Sequence, residues 1–301
     1  MPALNDVEHL LLVLAEDVPI TSVTDLPEHV TTCRRYHLTP PGEERAERVW
    51  PSFAVALREA GVTVHLRASM PDTLGDVTVI EAGRETVQAV LDGLDDLPPA
   101  TLVAVALAGG DAPAVVERWG TALGAPGTLL LRTPWTTRAW VSDEVCDHTS
   151  LIQLCERWTA GRGHEARIWL TEWRRRVCGD LLLALDLGEP VELPDGASVR
   201  PLPYAPTAEI RVTDGAVSLV LANAGATRGI HLRVDGADGP DAVTVPESSV
   251  SRPRVVTVPV AVRDGRYDVT VTGPGFARHF TGPHLTGPHL TGPHLTGECD
   301  E

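Results

Sequence analysis

The sequence predicts an α/β domain, with a mostly parallel sheet and flanking helices, followed by a small antiparallel β-sandwich. Residues 7–15 and 101–110 are continuous apolar runs suited to buried parallel strands, and residues 86–94 carry apolar side chains at helical spacing. Beyond a proline-rich stretch the sequence changes to short alternating segments separated by turn signals, which predicts the sandwich. A chain of 301 residues is long enough for one sizeable core and a small second domain.

The elements of the α/β domain follow from their apolar spacing and from their turn residues. Residues 18–49 form a polar connector after the first strand, in which His29 and His37 are predicted to be surface residues. Residues 50–68 predict a helix that ends at Gly61 and then a strand. The further predicted elements are a strand at 77–80, a helix at 86–94, a central strand at 101–110 that enters a Gly-Gly turn, and a buried strand at 128–131.

A pair of helices is predicted at the end of this domain. Residues 138–143 form a polar turn. Asp147 or Thr149 is then placed to cap a helix by accepting from its free N–H groups, and the apolar spacing of that helix continues to Trp158. A second amphipathic stretch runs from residue 173 to about residue 187.

Changes in composition predict the domain boundaries. The α/β domain spans residues 1–188, a stiff proline-rich linker 189–206 and the β-sandwich 207–280. Residues 281–301 form a disordered tail, because each TGPHL repeat carries a proline and a glycine, although its histidines could bind metal weakly. The predicted strands of the sandwich lie in AEIRVTD, AVSLVLAN, GIHLRVDG, RVVTVPVAV and RYDVTVTG.

Charge and cysteine content argue against several functions. The net charge of −16 argues against a nucleic-acid-binding or anionic-membrane-binding surface. The five cysteines are odd in number and include no CxxC pair, so neither a disulfide framework nor a zinc site is predicted. No basic segment followed by an apolar one opens the chain, and the apolar run at 10–15 is too short to span a bilayer. The prediction is a cytoplasmic protein with no transmembrane segment.

Four segments carry a family resemblance. PWTTRAWVSDEVCDHTSLIQLCERW and WRRRVCGDLLLALDL resemble the distal end of the catalytic domain in bacterial phospholipases C that prefer phosphocholine lipids. That family is similar in turn to a group of acid phosphatases and shares an alkaline-phosphatase-like core. LVLANAG and RYDVTVTGPGFARHFTG resemble the C-terminal β-domain of the same phospholipases, which usually carry it twice. The resemblance implies an alkaline-phosphatase-like fold, a surface-binding role for the β-domain and a phosphate-ester or phospholipid ligand.

The resemblance also implies where a metal site would lie, and this chain departs from the pattern there. The family's first strand ends in a metal-binding Glu-Asn pair; Glu16 matches it, and Asp17 stands where Asn is expected and is able to ligate. The family's central strand ends in an Asp-Glu pair, whereas residues 106–110 read ALAGG here and Asp111 lies a few residues late. These three carboxylates are the predicted ligands of a divalent metal ion if the protein is active. Alternatively, Glu16 and Asp17 only begin a loop or cap a helix.

Asp147 and His148 are the candidate catalytic residues of the segment that carries the resemblance. Their alternative interpretation is an N-cap followed by a partly buried histidine, and a helix start explains both. The arginines at 174–176 could bind phosphate, or they could pair with Glu172, Asp180 and nearby carboxylates on a solvated helix face.

Three hypotheses for the function follow. The first is a shortened phospholipase C-like phosphoesterase homologue that is weak or inactive as a hydrolase and acts as a binding or regulatory protein. The second is a minimal active phosphoesterase that uses Glu16, Asp17 and Asp111 for a cation, with a hydroxyl between residues 21 and 32 or water as nucleophile. The third is a purely structural protein that binds a partner through the β-domain.

Overall fold

The structure, a computed structural model, describes residues 3–38, 46–110, 112, 113, 115, 123–136, 138–168, 170–185, 199–213 and 216–283, with the backbone alone at 46–51. The chain divides into two compact units, which are residues 1–114 with 123–202 and residues 115–122 with 203–301. Most of the predicted linker and of the TGPHL tail lies outside the described residues.

The first unit alternates strands and helices, as the apolar spacing predicts. Its strands are β1 (His9–Pro19), β2 (Thr31–His37), β3 (Val64–Arg67), β4 (Val77–Glu81), β5 (Thr101–Ala108), β6 (Pro126–Arg132), β7 (Trp140–Ser142) and β8 (Cys146–Asp147). Its helices are α1 (Ala46–Glu59), α2 (Arg84–Asp92), α3 (His148–Gly161) and α4 (Glu172–Val177).

These strands form one mixed sheet in the order β3-β4-β1-β5-β6-β2-β7, and β8 also pairs with β2. β1 lies inside the sheet, between β4 and β5, and is parallel to both. β6 is antiparallel to both of its neighbours, β5 and β2, so the sheet is mixed. The α/β class is confirmed, while the finer alkaline-phosphatase-like assignment stays a prediction.

The core lies on both faces of this sheet, because side chains alternate along each strand. On β1, Leu10, Leu12 and Leu14 join the cluster that packs against α1 and α3, where Trp158 is fully buried. Leu11 and Val13 join the cluster on the other face with α2. A strand that is buried on both faces reads as a continuous apolar run, which is why β1 was recognisable in the sequence.

The prediction of a polar connector over residues 18–49 is wrong at β2. This strand lies inside the sheet, with β6 on one side and with β7 and β8 on the other. Its sequence, TTCRRYH, hides the pattern because two arginines interrupt the apolar alternation. Arg34 reaches Asp143 with two hydrogen bonds of 3.0 and 2.7 Å at the surface. His37, predicted at the surface, is fully buried on this strand.

Two further predictions in the first unit need correction. The predicted polar turn at 138–143 contains the short strand β7, in which Trp140 is buried. The second amphipathic helix was predicted to continue to about residue 187, but α4 ends at Val177. Leu181 has a left-handed φ of 64°, a conformation that no α-helix contains, so the apolar residues after α4 pack in turns.

The second unit is a β-sandwich. Its strands are β9 (Pro206–Thr213), β10 (Ala216–Asn223), β11 (Ile230–Asp235), β12 (Ala242–Val245), β13 (Val255–Pro259), β14 (Val262–Arg263), β15 (Arg266–Gly273) and β16 (Phe276–Pro283). One sheet has the order β13-β10-β9 and the other β12-β11-β15-β14, with β16 beside β15; every pairing between these strands is antiparallel. Leu219, Leu232 and Val269 contribute to the core from both sheets.

The five predicted strand segments of this unit all contain strands, and β12 and β16 were not predicted. The Asp264-Gly265 turn joins β14 to β15 as a tight hairpin. Both residues have positive φ, 52° and 70°, as a two-residue hairpin turn of type I′ requires.

Candidate functional site

The predicted metal ligands lie at the carboxyl end of β1, where ligand groups gather in open α/β sheets. Glu16 and Asp17 are part of the strand, which continues to Pro19 through an irregular register after Ala15, so they do not begin a loop. Asp17 is exposed, whereas Glu16 is half-buried and accepts a hydrogen bond of 3.1 Å from the Tyr36 hydroxyl. Asp111 lies outside the described residues.

Tyr36 is the residue at this end of the sheet that the sequence did not reveal. It is fully buried on β2, and burial followed by the Glu16 carboxylate raises its pKa well above the ordinary value. The hydroxyl therefore stays protonated and is available as a donor to Glu16. Glu16 has a structural partner in this arrangement.

The end of β5 offers no carboxylate in place of the Asp-Glu pair that the resemblance implies. Ala106 and Leu107 are fully buried. The following Gly-Gly turn packs closely on β6: a Cβ on Gly110 would stand 2.4 Å from the carbonyl oxygen of Gly127. The N–H of Gly109 donates to the carbonyl of Pro126 at 3.2 Å, so close packing accounts for the turn.

Across the described ranges, no three His, Cys, Asp or Glu side chains lie together as a metal-binding group. A divalent cation takes several oxygen ligands at once. Asp111, the third implied ligand, lies outside these ranges, so the metal site of Glu16, Asp17 and Asp111 stays a prediction.

Asp147 is the N-cap of α3, as predicted. Its Oδ1 accepts from the Thr149 N–H at 2.8 Å and from the Thr149 hydroxyl at 2.6 Å. Its backbone N–H donates to Ser150 Oγ at 3.1 Å, which completes a capping box. These bonds satisfy the start of the helix and fix the first of the two carboxylate oxygens.

The second carboxylate oxygen of Asp147 binds Arg174. Its Oδ2 accepts from Arg174 Nη1, and both side chains are buried, with 0% and 7% of their surfaces exposed. Arg174 is held by α4, whose N-cap Thr171 accepts from the Arg174 N–H at 3.2 Å. Arg174 is thus part of a buried ion pair, which corrects the prediction of a solvated face. Arg176 does pair with Glu172 at 2.9 Å, and that part of the prediction is confirmed.

The surroundings of Asp147 keep it ionised. Burial alone would raise the pKa of this carboxyl, but His148, the Arg174 guanidinium and the hydrogen bonds from Thr149 together hold it below the ordinary value. Cys178 lies nearby, and burial, the largest cause, raises the pKa of its thiol well above the ordinary range. A thiol that stays protonated is a poor nucleophile.

Two buried histidines lie beside this carboxylate. His148 Nδ1 is 3.9 Å from Asp147 Oδ2, too far for a hydrogen bond. His37 is the register partner of Asp147 between β2 and β8, and its Nδ1 lies 3.2 Å from the carbonyl oxygen of Gly124. Burial is the main cause that lowers the pKa of His37. The sequence did not reveal His37, because the arginines before it suggested a surface segment.

The observed contacts of Asp147 are those of a structural residue. A side chain that is fully buried, with both oxygens accepting hydrogen bonds, has no free face to offer a substrate. The structure brings Asp147 and His148 together, while Glu16 and Asp17 lie on a different strand. A catalytic role for Asp147 or His148 stays a prediction, and the observed contacts give both residues a place in the core.

We expect stability to fall when the pH drops below about 6.5, the ordinary pKa of histidine. With a lowered pKa in the folded state, His37 stays neutral there while the unfolded chain takes up a proton. The stabilisation is complete above the ordinary value and is lost as the pH falls towards the folded-state pKa. Urea unfolding between about pH 5 and pH 7 measures this loss, and His37→Gln should make the slope with pH shallower. An unchanged slope in His37→Gln would contradict the assignment.

The chain is similar to bacterial phospholipases C. A family model for the C-terminal domain of bacterial phospholipase C matches residues 199–283. A non-hemolytic phospholipase C of Burkholderia pseudomallei is 36% identical over 96 residues, which covers 31% of this chain and 13% of that protein. A non-hemolytic phospholipase C of Pseudomonas aeruginosa is 29% identical over 202 residues, with 53% of this chain and 28% of that protein covered.

The fold and these matches define an α/β protein with an attached β-sandwich of the phospholipase C type. The resemblance to bacterial phospholipases C is confirmed: residues 199–283 match the C-terminal domain of that family, and both relatives are phospholipases C. The Pseudomonas match covers more of the chain than residues 199–283, so it extends beyond the β-sandwich. The chain spans less than a third of the length of these two relatives.

None of the described helices is both long enough and apolar enough to span a membrane. The cytoplasmic location stays a prediction.

Proposed function

We propose that this chain is a phospholipase C-like member of the phosphoesterase family that binds a phosphate ester or a phospholipid and has a weakened or lost hydrolase site. The observation that carries the proposal is the end of β5, where fully buried Ala106 and Leu107 stand in place of the carboxylates that the resemblance implies. Enzymatic phosphoryl transfer depends largely on cations and positioned charges that offset the charge of the transition state. Alanine and leucine side chains supply neither.

The contacts of two other candidate carboxylates, Glu16 and Asp147, support the same proposal. Glu16 is bound by the Tyr36 hydroxyl, and Asp147 is occupied by Thr149 and Arg174. Each has a structural partner, which favours a scaffold whose former site residues have been lost or taken into the core.

An alternative is a minimal active metal-dependent phosphoric ester hydrolase that uses Glu16, Asp17 and Asp111. The position of Glu16 near the carboxyl end of β1, an inner parallel strand, favours it, because substrates of α/β proteins bind at that edge.

Hydrolysis of p-nitrophenyl phosphate and of p-nitrophenylphosphorylcholine, with and without added divalent cations, separates the two functions. We expect the wild-type protein to show no metal-dependent turnover above the background of a folded Glu16→Ala variant. Glu81→Ala, which removes an exposed carboxylate at the end of neighbouring β4, is the matched control. Turnover that needs metal, survives in the control and disappears in Glu16→Ala would establish the active enzyme.

Binding is measured separately, by equilibrium titration with phosphorylcholine and with short-chain phosphatidylcholine. Binding without turnover is the result expected of a binding homologue. If the folded protein binds neither ligand and hydrolyses neither substrate, the proposed function is wrong.

A further inference from the structure

Residues 249–255 of the β-sandwich, SVSRPRV, form a basic turn that is exposed at every position. Val250 is 77% exposed and Val255 is 55% exposed. Arg252 and Arg254 lie between these valines, and the segment contains no acidic residue. The segment is therefore basic and partly apolar, whereas the whole chain is acidic, with a net charge of −16.

The basic turn is ordered by its own hydrogen bonds. The Arg252 N–H donates to the carbonyl oxygen of Ser249 and to its Oγ, each at 3.2 Å. The hydroxyl oxygens of Ser249 and Ser251 lie 3.3 Å apart. Val250 is therefore held at the outer corner of a closed turn, so little conformational entropy is lost when it contacts another surface.

The two valines lie at one end of the sandwich. Val255 is the register partner of Ala222, near the end of β10. Gly225 lies just beyond that end, and a Cβ built on it would stand 3.1 Å from Cγ2 of Val250. Both apolar side chains and the two arginines between them thus belong to the same edge of this unit.

We propose that the basic turn docks onto an anionic lipid surface, with Val250 entering the boundary between headgroups and acyl chains and with Arg252 and Arg254 contacting lipid phosphates. Guanidinium groups bind phosphate oxygens through paired hydrogen bonds, and an exposed valine gains free energy when it leaves water. The proposal concerns the β-sandwich and goes beyond the proposed function, since it is independent of hydrolysis by the α/β unit.

The net charge of the chain does not oppose this docking at short range. Exposed charges are screened over about 8 Å at physiological salt, so the groups nearest the lipid dominate. The nearest acidic residue along the sequence is Glu247, which is half-buried. Docking is therefore expected to weaken as salt is added, because its main attraction comes from two exposed cations.

The test is partitioning of the whole chain onto vesicles of phosphatidylcholine mixed with phosphatidylglycerol, measured by flotation, with phosphatidylcholine vesicles alone beside them. We expect the chain to partition more strongly onto the anionic vesicles than onto vesicles of phosphatidylcholine alone. The double variant Arg252→Gln/Arg254→Gln should lower the partition coefficient about twenty- to thirty-fold, since each arginine near such a surface contributes roughly fivefold. Val250→Asp should lower it by about tenfold.

The matched control is Arg263→Gln/Arg266→Gln, which removes the same charge from two exposed arginines of the β14–β15 hairpin. β11 begins beside Val245, next to the basic turn, and ends beside Thr270, so this hairpin lies at the opposite end of the sandwich. The control should partition like the wild type. Equal losses in both double variants, or no binding of the wild type to anionic vesicles, would overturn the proposal.

Discussion

Replacement of Arg174 by methionine is expected to lower the free energy of unfolding by about 3–5 kcal/mol, because it leaves the buried carboxylate of Asp147 without its cation. Methionine keeps much of the apolar stem, so the loss comes mainly from charge. The residual bonds from Thr149 satisfy Oδ1, but Oδ2 loses its guanidinium partner. Urea unfolding at neutral pH, followed by tryptophan fluorescence, measures the change.

Two further variants show whether the charge is the cause. Arg176→Met removes a partly exposed arginine of the same helix, whose partner Glu172 is 86% exposed, and should cost less than about 1 kcal/mol. The double variant Asp147→Asn/Arg174→Met removes the stranded charge while an amide oxygen remains to accept from Thr149, so it should recover part of the loss. If Arg174→Met is no more costly than Arg176→Met, the buried pair does not stabilise the fold as described.

This comparison also bears on the catalytic candidates. If Asp147 and Arg174 act as a structural pair, their variants lose stability whether or not any phosphate ester is hydrolysed. A catalytic residue would instead lower turnover in a protein that unfolds normally. The contacts around Asp147 favour the first outcome, because both carboxylate oxygens point at groups of the protein itself.

The parts of the fold that could be predicted are those in which one local pattern decides the structure. β1 and β5 are buried on both faces and therefore read as unbroken apolar runs. Asp147 stands directly before an apolar helical repeat, and the accepting side chain of an N-cap is a local requirement. In the sandwich, alternation on single strands was sufficient for β10 and β15.

The parts that could not be predicted depend on distant partners. The strands that pair with β2 are far away in sequence, so no local pattern indicates this pairing. The two arginines within β2 also interrupt its apolar alternation. The Tyr36–Glu16 and Asp147–Arg174 contacts join residues 20 and 27 positions apart, and neither spacing follows a helix or strand period. Asp111 lies outside the described residues, so its place among the candidate ligands stays a prediction.

The segment that first carried the family resemblance is tied to the start of β1 through a single backbone carbonyl. The indole N–H of Trp158 on α3 donates to the carbonyl oxygen of Val7 at 2.9 Å, and Arg162 Nη1 donates to the same oxygen at 2.6 Å. Trp158 is 1% exposed and belongs to the cluster that includes Leu10 and Leu12 of β1. The contribution of the hydrogen bonds to the Val7 carbonyl and the contribution of the packing of the Trp158 ring can therefore be measured with separate variants.

Trp158→Ala is expected to lower the free energy of unfolding by about 3–5 kcal/mol, since it opens a large cavity between α3 and the sheet. Trp158→Phe should cost clearly less, because most of the ring volume remains and the Val7 carbonyl keeps Arg162 as a donor. Arg162→Met is the complementary control, which leaves the indole as the donor. If Trp158→Phe were as costly as Trp158→Ala, the hydrogen bond rather than the packing would hold α3 on the sheet. Urea denaturation of the three variants under one set of conditions decides between these contributions.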